Sequence, residues 1–194
     1  MSNLLTSNIG TALVLRFNRP ERRNPLSLEV LDEIEAILSS DLAGVSRIVF
    51  TGTGNVFASG ANLREIASLD AASAEGFARR GQRLMSQIEA LDQQTVAAVN
   101  GPCYGGALDL ALACDMRIAL PMATFCHPGA GLGIITGWGG TQRLPRLIGR
   151  ANALEMFLTA APVTAERARE MCLVDAIESD VMRAALQVNI DVPA

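Results

Sequence analysis

Residues 96–115 read VAAVNGPCYGGALDLALACD, and the order of residue types along them decides the fold class. The run Val96–Val99 predicts a strand that stops at the turn residues Asn100-Gly101-Pro102. Gly105-Gly106 then opens an apolar stretch of helical length, Ala107 to Cys114. A strand, a glycine turn and a helix start leave backbone N–H groups unpaired at the helix N-terminus, where an anion or a developing oxyanion can sit. Asp109 follows Gly106 by three residues and so projects on the same helix face. A donor for negative charge and an acid/base therefore arrive together. The same residues also admit a plainer reading, a tight turn followed by an acid favoured near a helix N-terminus.

Outward from this stretch the chain repeats a strand–loop–helix rhythm. Ala12–Phe17 and Arg47–Gly52 read as strands. Ser27 is an N-cap for a helix whose Leu28, Leu31, Ile34 and Leu38 share a face, and Asn62 with Glu65 opens a short helix in the manner of a capping box. Residues 74–91 form the longest amphipathic segment, with Phe77, Gly81, Leu84, Ile88 and Leu91 at helical spacing. Beyond Asp115, Met116–Ala119 is a strand, Thr124–Pro128 is short and extended, and Gly129–Gly140 holds six glycines around Trp138, too many for a regular element. Residues 141–147 and 151–159 read as helices, Thr164 caps another, Leu173–Ile177 is extended, and Val181–Val188 forms a last helix. No low-complexity linker interrupts this pattern, which is that of a mixed α/β domain.

Composition narrows the function classes. The 194 residues suffice for one domain with a substantial core. A net charge of −4 without a basic stripe speaks against a nucleic-acid partner. The apolar runs fall short of the roughly 20 residues a membrane span needs. The N-terminal MSNLLTSNIG lacks a charged, signal-like start, so a cytoplasmic location is expected. Cys103, Cys114, Cys126 and Cys172 show no CxxC pairing and are expected to be reduced. His127 lacks the further ligands a metal site requires, so no metal is expected. All 16 basic residues are arginine, which excludes a lysine Schiff base and a P-loop lysine. No GxSxG elbow exists to serve a hydrolase triad.

Four segments in order, NRPERRNPLS at 18–27, FASGANLREI at 57–66, AVNGPCYGGALDLALACD at 98–115 and GGTQRLPRLIG at 139–149, make the chain resemble the crotonase superfamily, also called the enoyl-CoA hydratase/isomerase family. The resemblance runs nearly the full chain. It implies a crotonase-like spiral of ββα repeats. Residues 1–178 would form the acyl-CoA-binding core, and 179–194 a short C-terminal remnant of the family's helical region. It implies a coenzyme A thioester, acyl-CoA or enoyl-CoA, as substrate with no separate cofactor. It also implies a homotrimer or a dimer of trimers. By motif position, the backbone N–H groups of Ala61 and Gly106 would hold the thioester oxygen as it gains enolate charge. Asp109 would be the acid/base. Ala61, Asn62, Leu63 and Arg64 would meet the coenzyme A moiety, and Arg22, Arg23 and Arg64 would be the candidates for its phosphates.

Two departures bear on the reaction. Hydratases of the family use two glutamates, whereas this chain has Asp109 at the first position and Gly129 at the second. Dienoyl-CoA isomerases share the aspartate, but their other acids would fall on Gly129 and Gly137. A single carboxylate suits an isomerisation that carries one proton between the α and γ carbons better than water addition, with His127 as a possible assistant. The expected function is an isomerase- or hydratase-like acyl-CoA enzyme. The alternative is a catalytically silent acyl-CoA-binding homologue. The family's helices beyond the equivalent of Ile177 are largely missing from this sequence, which implies a pocket that is more open or closed by a neighbouring subunit.

Overall fold

A computed structural model describes residues 2–188. Its backbone is a six-stranded sheet built mostly in chain order. The strands are β1 (Leu4–Ile9), β2 (Ala12–Phe17), β4 (Arg47–Gly52), β6 (Gln94–Val99), β8 (Met116–Ala119) and β11 (Ala176–Ile177). β1 and β2 form an antiparallel hairpin, and every later neighbour is parallel. Between sheet strands the chain makes a second, shorter strand and then a helix. Thus β3 (Pro25–Leu26) precedes α1 (Leu28–Leu38). β5 (Gly60–Ala61) precedes α2 (Leu63–Ala67) and α3 (Ala71–Glu89). β7 (Cys103–Tyr104) precedes α4 (Gly106–Ala113), and β9 (Thr124–Cys126) precedes α5 (Gly129–Leu132). The short strands pair among themselves, β3 with β5 and β7 with β9, and β10 (Val163–Thr164) joins β9. This is the mixed α/β architecture the sequence implies, a ββα unit repeated along a parallel sheet. α6 (Gly140–Ile148), α7 (Arg150–Thr159), α8 (Ala165–Glu170) and α9 (Val181–Gln187) complete the chain.

Strand alternation sorts side chains onto two faces. Leu13, Leu15, Phe17, Ile48, Phe50, Ala97 and Val99 face the helices and the main core. Val14, Val49, Val96, Ala98 and Ile118 face the other way, where Val181 and Ala185 of α9 cover them. Of the expected C-terminal remnant, α9 therefore packs on the back of the sheet, and residues 189–194 lie outside the described residues. α4 is buried from Ala107 to Ala113, as a helix apolar on every side must be.

Several boundaries depart from expectation for local reasons. β1 has no counterpart among the expected strands. Five of its six residues are exposed, so no apolar alternation marks it. α3 starts three residues early because Asp70 and Ser73 cap each other, with Ser73 N–H donating to Asp70 at 2.8 Å and Asp70 N–H to Ser73 Oγ at 2.9 Å. Asn62 caps α2 as expected, and Glu65 returns to it through its side chain, Oε1 accepting from Asn62 Nδ2 at 3.2 Å rather than from the backbone N–H of a full capping box. The other carboxylate oxygen accepts the Leu28 N–H at 3.0 Å and ties α2 to α1. Of the extended stretch 173–177 only Ala176–Ile177 pairs in the sheet, while Leu173 and Val174 turn into the core. The glycine-rich segment 129–140 begins with the single turn α5, runs as loop over 133–139 and ends on the first residue of α6.

Cys103, Cys114 and Cys126 are buried and free, and Cys172 is free and exposed. Among the described residues, no helix is long and apolar enough to cross a membrane, and no group of three His, Cys, Asp or Glu could hold a metal ion.

Candidate active site

The segments FASGA and CYGG lie side by side because two glycines remove the side chains that would separate them. Gly60 has φ +85°, and a Cβ there would sit 2.7 Å from Gly106 N. Gly105 has φ 56°, which turns the chain from β7 into α4. Tyr104 N–H donates to Ala58 O at 3.1 Å, and Gly105 N–H donates to Cys126 O at 2.8 Å. β7 is thus knitted to β9 on one side and to the residues leading into β5 on the other, at the mouth of α4. Ala61 N comes so close to Gly106 that a Cβ on the glycine would be 3.3 Å from it. The N–H groups opening α4 have no acceptor within the helix, a consequence of helix geometry alone.

Over this junction lies a cavity of about 430 Å³. Its floor is Ala61, Gly105, Gly106 and Asp109. Its walls include Ile66, Leu69 and Phe77 from one side and Leu132, Ile134, Ile135, Phe157 and Leu158 from the other. The only ionisable side chains among the described lining residues are Asp109 and His127. Ile135 is 69% exposed and Leu158 74%, so the rim beside α7 is apolar and open.

Asp109 is fully buried in α4. Its Oδ2 accepts a hydrogen bond from Thr136 Oγ1, whereas Oδ1 has no hydrogen-bond partner. Burial pushes its carboxyl up to about 7. Thr136, the backbone N–H groups of Trp138 and Gly140, and the Arg143 charge pull it the other way. His127 Nε2 stands 3.6 Å from Asp109 Oδ1, and neither ring nitrogen has a partner. Burial holds the imidazole down at about 4, so near neutral pH it is uncharged and this is not an ion pair. Phe157 packs on the His127 ring with centroids 5.1 Å apart. Gly140 makes the arrangement sterically possible, since a Cβ there would land on Asp109 Oδ1 and sit 3.0 Å from His127 Nε2.

Not all the expected site residues meet at the cavity. Ala61, Leu63, Gly106 and Asp109 line it; Arg22, Arg23, Asn62 and Arg64 do not. Asn62 has a structural duty as the cap of α2, accepting the Arg64 N–H at 3.1 Å. The arginines stand exposed near the β3–β5 ladder. Buried Asn24 fixes their turn by donating to Val56 O at 2.9 Å and Phe57 O at 3.2 Å. Sequence reasoning did not find Thr136, Gly140 or Phe157. The repeated glycines around Trp138 were the only available signal for the first two, and nothing local marks Phe157.

Gly129 is a packing necessity here. A Cβ on it would collide with the Ile134 carbonyl oxygen, and the Ile134 N–H in turn donates to Gly129 O at 3.0 Å. Gly129→Glu is therefore expected to lower stability by about 1–3 kcal/mol through overpacking. Thermal unfolding would show it, and an unchanged melting temperature would mean that the loop yields freely.

A family model described as enoyl-CoA hydratase/isomerase matches residues 8–190. A crotonyl-CoA hydratase of Syntrophomonas wolfei is 38% identical over 178 residues, covering 90% of this chain and 68% of the relative. A 2,3-dehydroadipyl-CoA hydratase of Escherichia coli (strain K12) is 37% identical over 194 residues, covering 97% and 74%. The crystal structure of an enoyl-CoA hydratase from Bacillus anthracis superposes with a TM-score of 0.90 at 33% identity, covering 96% of this chain and 74% of that one.

Proposed function

The chain belongs to the enoyl-CoA hydratase/isomerase family, and from that premise we propose that it is an acyl-CoA enzyme that stabilises a thioester enolate and moves a proton with Asp109. The single observation that carries the reading is the placement of Asp109. A buried carboxyl held near 7 stands at the floor of an apolar cavity, one helical turn from the Gly106 N–H, and Ala61, which lies against Gly106, lines the same cavity. A thioester oxygen set against the Ala61 and Gly106 N–H groups would accumulate negative charge as the α-carbon loses a proton or the β-carbon gains a nucleophile. Preorganised donors of this kind contribute about 3–4 kcal/mol each to the transition state. A carboxyl near 7 can both accept and return a proton at neutral pH. Coenzyme A enters this reading as part of the substrate, with no separate cofactor. The walls fit an apolar acyl group, because the lining offers no cation for a second carboxylate.

Arg22, Arg23 and Arg64 are the proposed contacts for the phosphates of coenzyme A. They stand exposed at the edge where the β3–β5 ladder joins their two loops. Arg64→Ala is expected to weaken coenzyme A binding by up to about 5-fold, the effect shrinking as salt rises, as an exposed charge contact should. Calorimetric titration at two ionic strengths would measure this, and equal affinity in both proteins would remove Arg64 from the site. A homotrimer or dimer of trimers belongs to the same proposal, and the exposed apolar rim of Ile135 and Leu158 supports it.

The alternative, an acyl-CoA binder without turnover, draws support from Gly129, where the fold leaves no space for a side chain. Solvent-deuterium incorporation into a panel of acyl- and enoyl-CoA thioesters, read by mass spectrometry, separates the two. Enolate chemistry exchanges an α or γ proton whatever the final product. Binding without exchange would leave only the silent reading.

A further inference from the structure

We propose that His127 is a second catalytic group of this site, and that the Asp109–His127 pair adds water across an enoyl thioester in place of two carboxylates. The inference rests on the enolate-stabilising reading above and goes beyond it by assigning a second group and a reaction. Its basis is three orphaned polar atoms. Asp109 Oδ1, His127 Nδ1 and His127 Nε2 are buried without hydrogen-bond partners, although both residues line the cavity. Unpaired buried polar atoms are costly, and native structures keep few of them without a ligand or a function. The fold also holds the two side chains at this separation by design of the surrounding packing. Thr136 fixes the far oxygen of Asp109, Phe157 backs the imidazole, and Gly140 leaves the space between the two groups clear.

Burial has opposite effects on the two groups, and their resting state follows. Asp109 keeps its proton up to about 7, and His127 stays neutral down to about 4. Around pH 6 the pair thus holds one acid and one base 3.6 Å apart. Water bound between them and the substrate can give its proton to His127 as its oxygen bonds to the β-carbon. The C=C electron pair moves toward the thioester oxygen, and the α-carbon takes the carboxyl proton of Asp109. Imidazolium and carboxylate remain, and transfer from His127 Nε2 to Asp109 Oδ1 restores the starting state. The other groups acting on the pair are Arg143 of α6, whose charge draws the Asp109 carboxyl down, and Cys103 of β7, whose thiol burial keeps protonated. Thr136, Phe157 and Gly140 do not titrate.

The test compares two reactions of the full chain. Hydration of trans-2-hexenoyl-CoA needs both groups, while deuterium exchange at the α-carbon of hexanoyl-CoA needs only Asp109 and the N–H donors. His127→Gln is expected to lose hydration by about 100-fold, the low end of what a positioned acid/base contributes, and to keep exchange within a few-fold. Should the variant lose both through misfolding, the pH profiles of the unaltered protein decide. Hydration should fall as pH rises through about 7, where the carboxyl ionises, and again as pH drops toward 4, where the imidazole charges. Exchange should instead rise through about 7, because it uses the carboxylate. Hydration that survives in His127→Gln, hydration that rises through pH 7, or a protein that exchanges but never hydrates would each overturn the assignment while leaving the enolate reading intact. Failure of both reactions in the unaltered protein, with the thioester bound, would bring down the enolate reading and this assignment with it.

Discussion

Asp109→Asn is expected to slow solvent-deuterium exchange into acyl-CoA thioesters by about 1,000-fold, within the range that a general acid/base contributes, while thioester affinity stays within a few-fold. Asparagine has nearly the shape of the neutral carboxyl and can still accept the Thr136 hydroxyl at its carbonyl oxygen. The substitution therefore removes the proton and the charge but leaves the packing of α4 in place. Stability is expected to change little, because the buried side chain is already neutral below pH 7 and no paired charge is broken. The pH dependence carries a sign that checks the role. Exchange by the unaltered protein rises as the pH passes upward through about 7 and the base form appears, whereas the residual exchange of Asp109→Asn should show no such limb. A variant that exchanges within 10-fold of the unaltered rate would remove Asp109 from the chemistry. Measuring binding by calorimetry on the same preparations separates lost chemistry from a lost site.

What could be read in the sequence was whatever depends on neighbours along the chain. The strand, glycine turn and helix of residues 96–115 fall where the residue types put them, because their periodicity and turn chemistry are local. The caps at Ser27 and Thr164 also act over three residues, and both accept the expected backbone N–H. β1 was illegible because it is an edge strand with one buried residue, specified by its pairing with β2 rather than by a pattern of its own. At the candidate site, the neighbouring positions of Ala61 and Gly106 depend on Gly60 lying against the α4 entry, a contact across 46 residues that spacing does not disclose. His127 shows the same limit more sharply. In sequence it is one histidine before a proline. Its closeness to Asp109 depends on the Gly105–Cys126 bond, on Gly140 and on a loop folded over from the far side of the cavity.

The largest buried side chain of that loop is Trp138, and Trp138→Ala is expected to cost about 3–5 kcal/mol, the usual range for deleting a buried large aromatic, lowering the melting temperature by about 10 °C. Trp138 is 2% exposed and stands between two helices that each present a glycine to it. A Cβ on Gly106 of α4 would come within 2.5 Å of the indole, and one on Gly81 of α3 would overlap it. The ring therefore fills space that both helices vacate, and Phe77 completes the contact at a centroid distance of 5.6 Å. Truncation leaves a void that two glycines cannot fill from either side, so relaxation recovers little of the loss. The consequence for the site follows from chain order. Thr136 and Gly140 lie within two residues of Trp138, and they set one oxygen of Asp109 and the clearance beside the other. Loosening the tryptophan should release the Thr136 contact, so exchange activity should fall even at temperatures where Trp138→Ala remains folded. Gln82 Nε2 donating to Gly137 O at 2.8 Å and the Arg143–Glu89 ion pair at 2.8 Å also fasten this region, but Gln82 and Glu89 are exposed and contacts with an exposed partner are individually weak. A melting temperature within 2–3 °C of the unaltered protein would mean that these surface ties, and not the buried indole, hold the glycine-rich loop over the cavity.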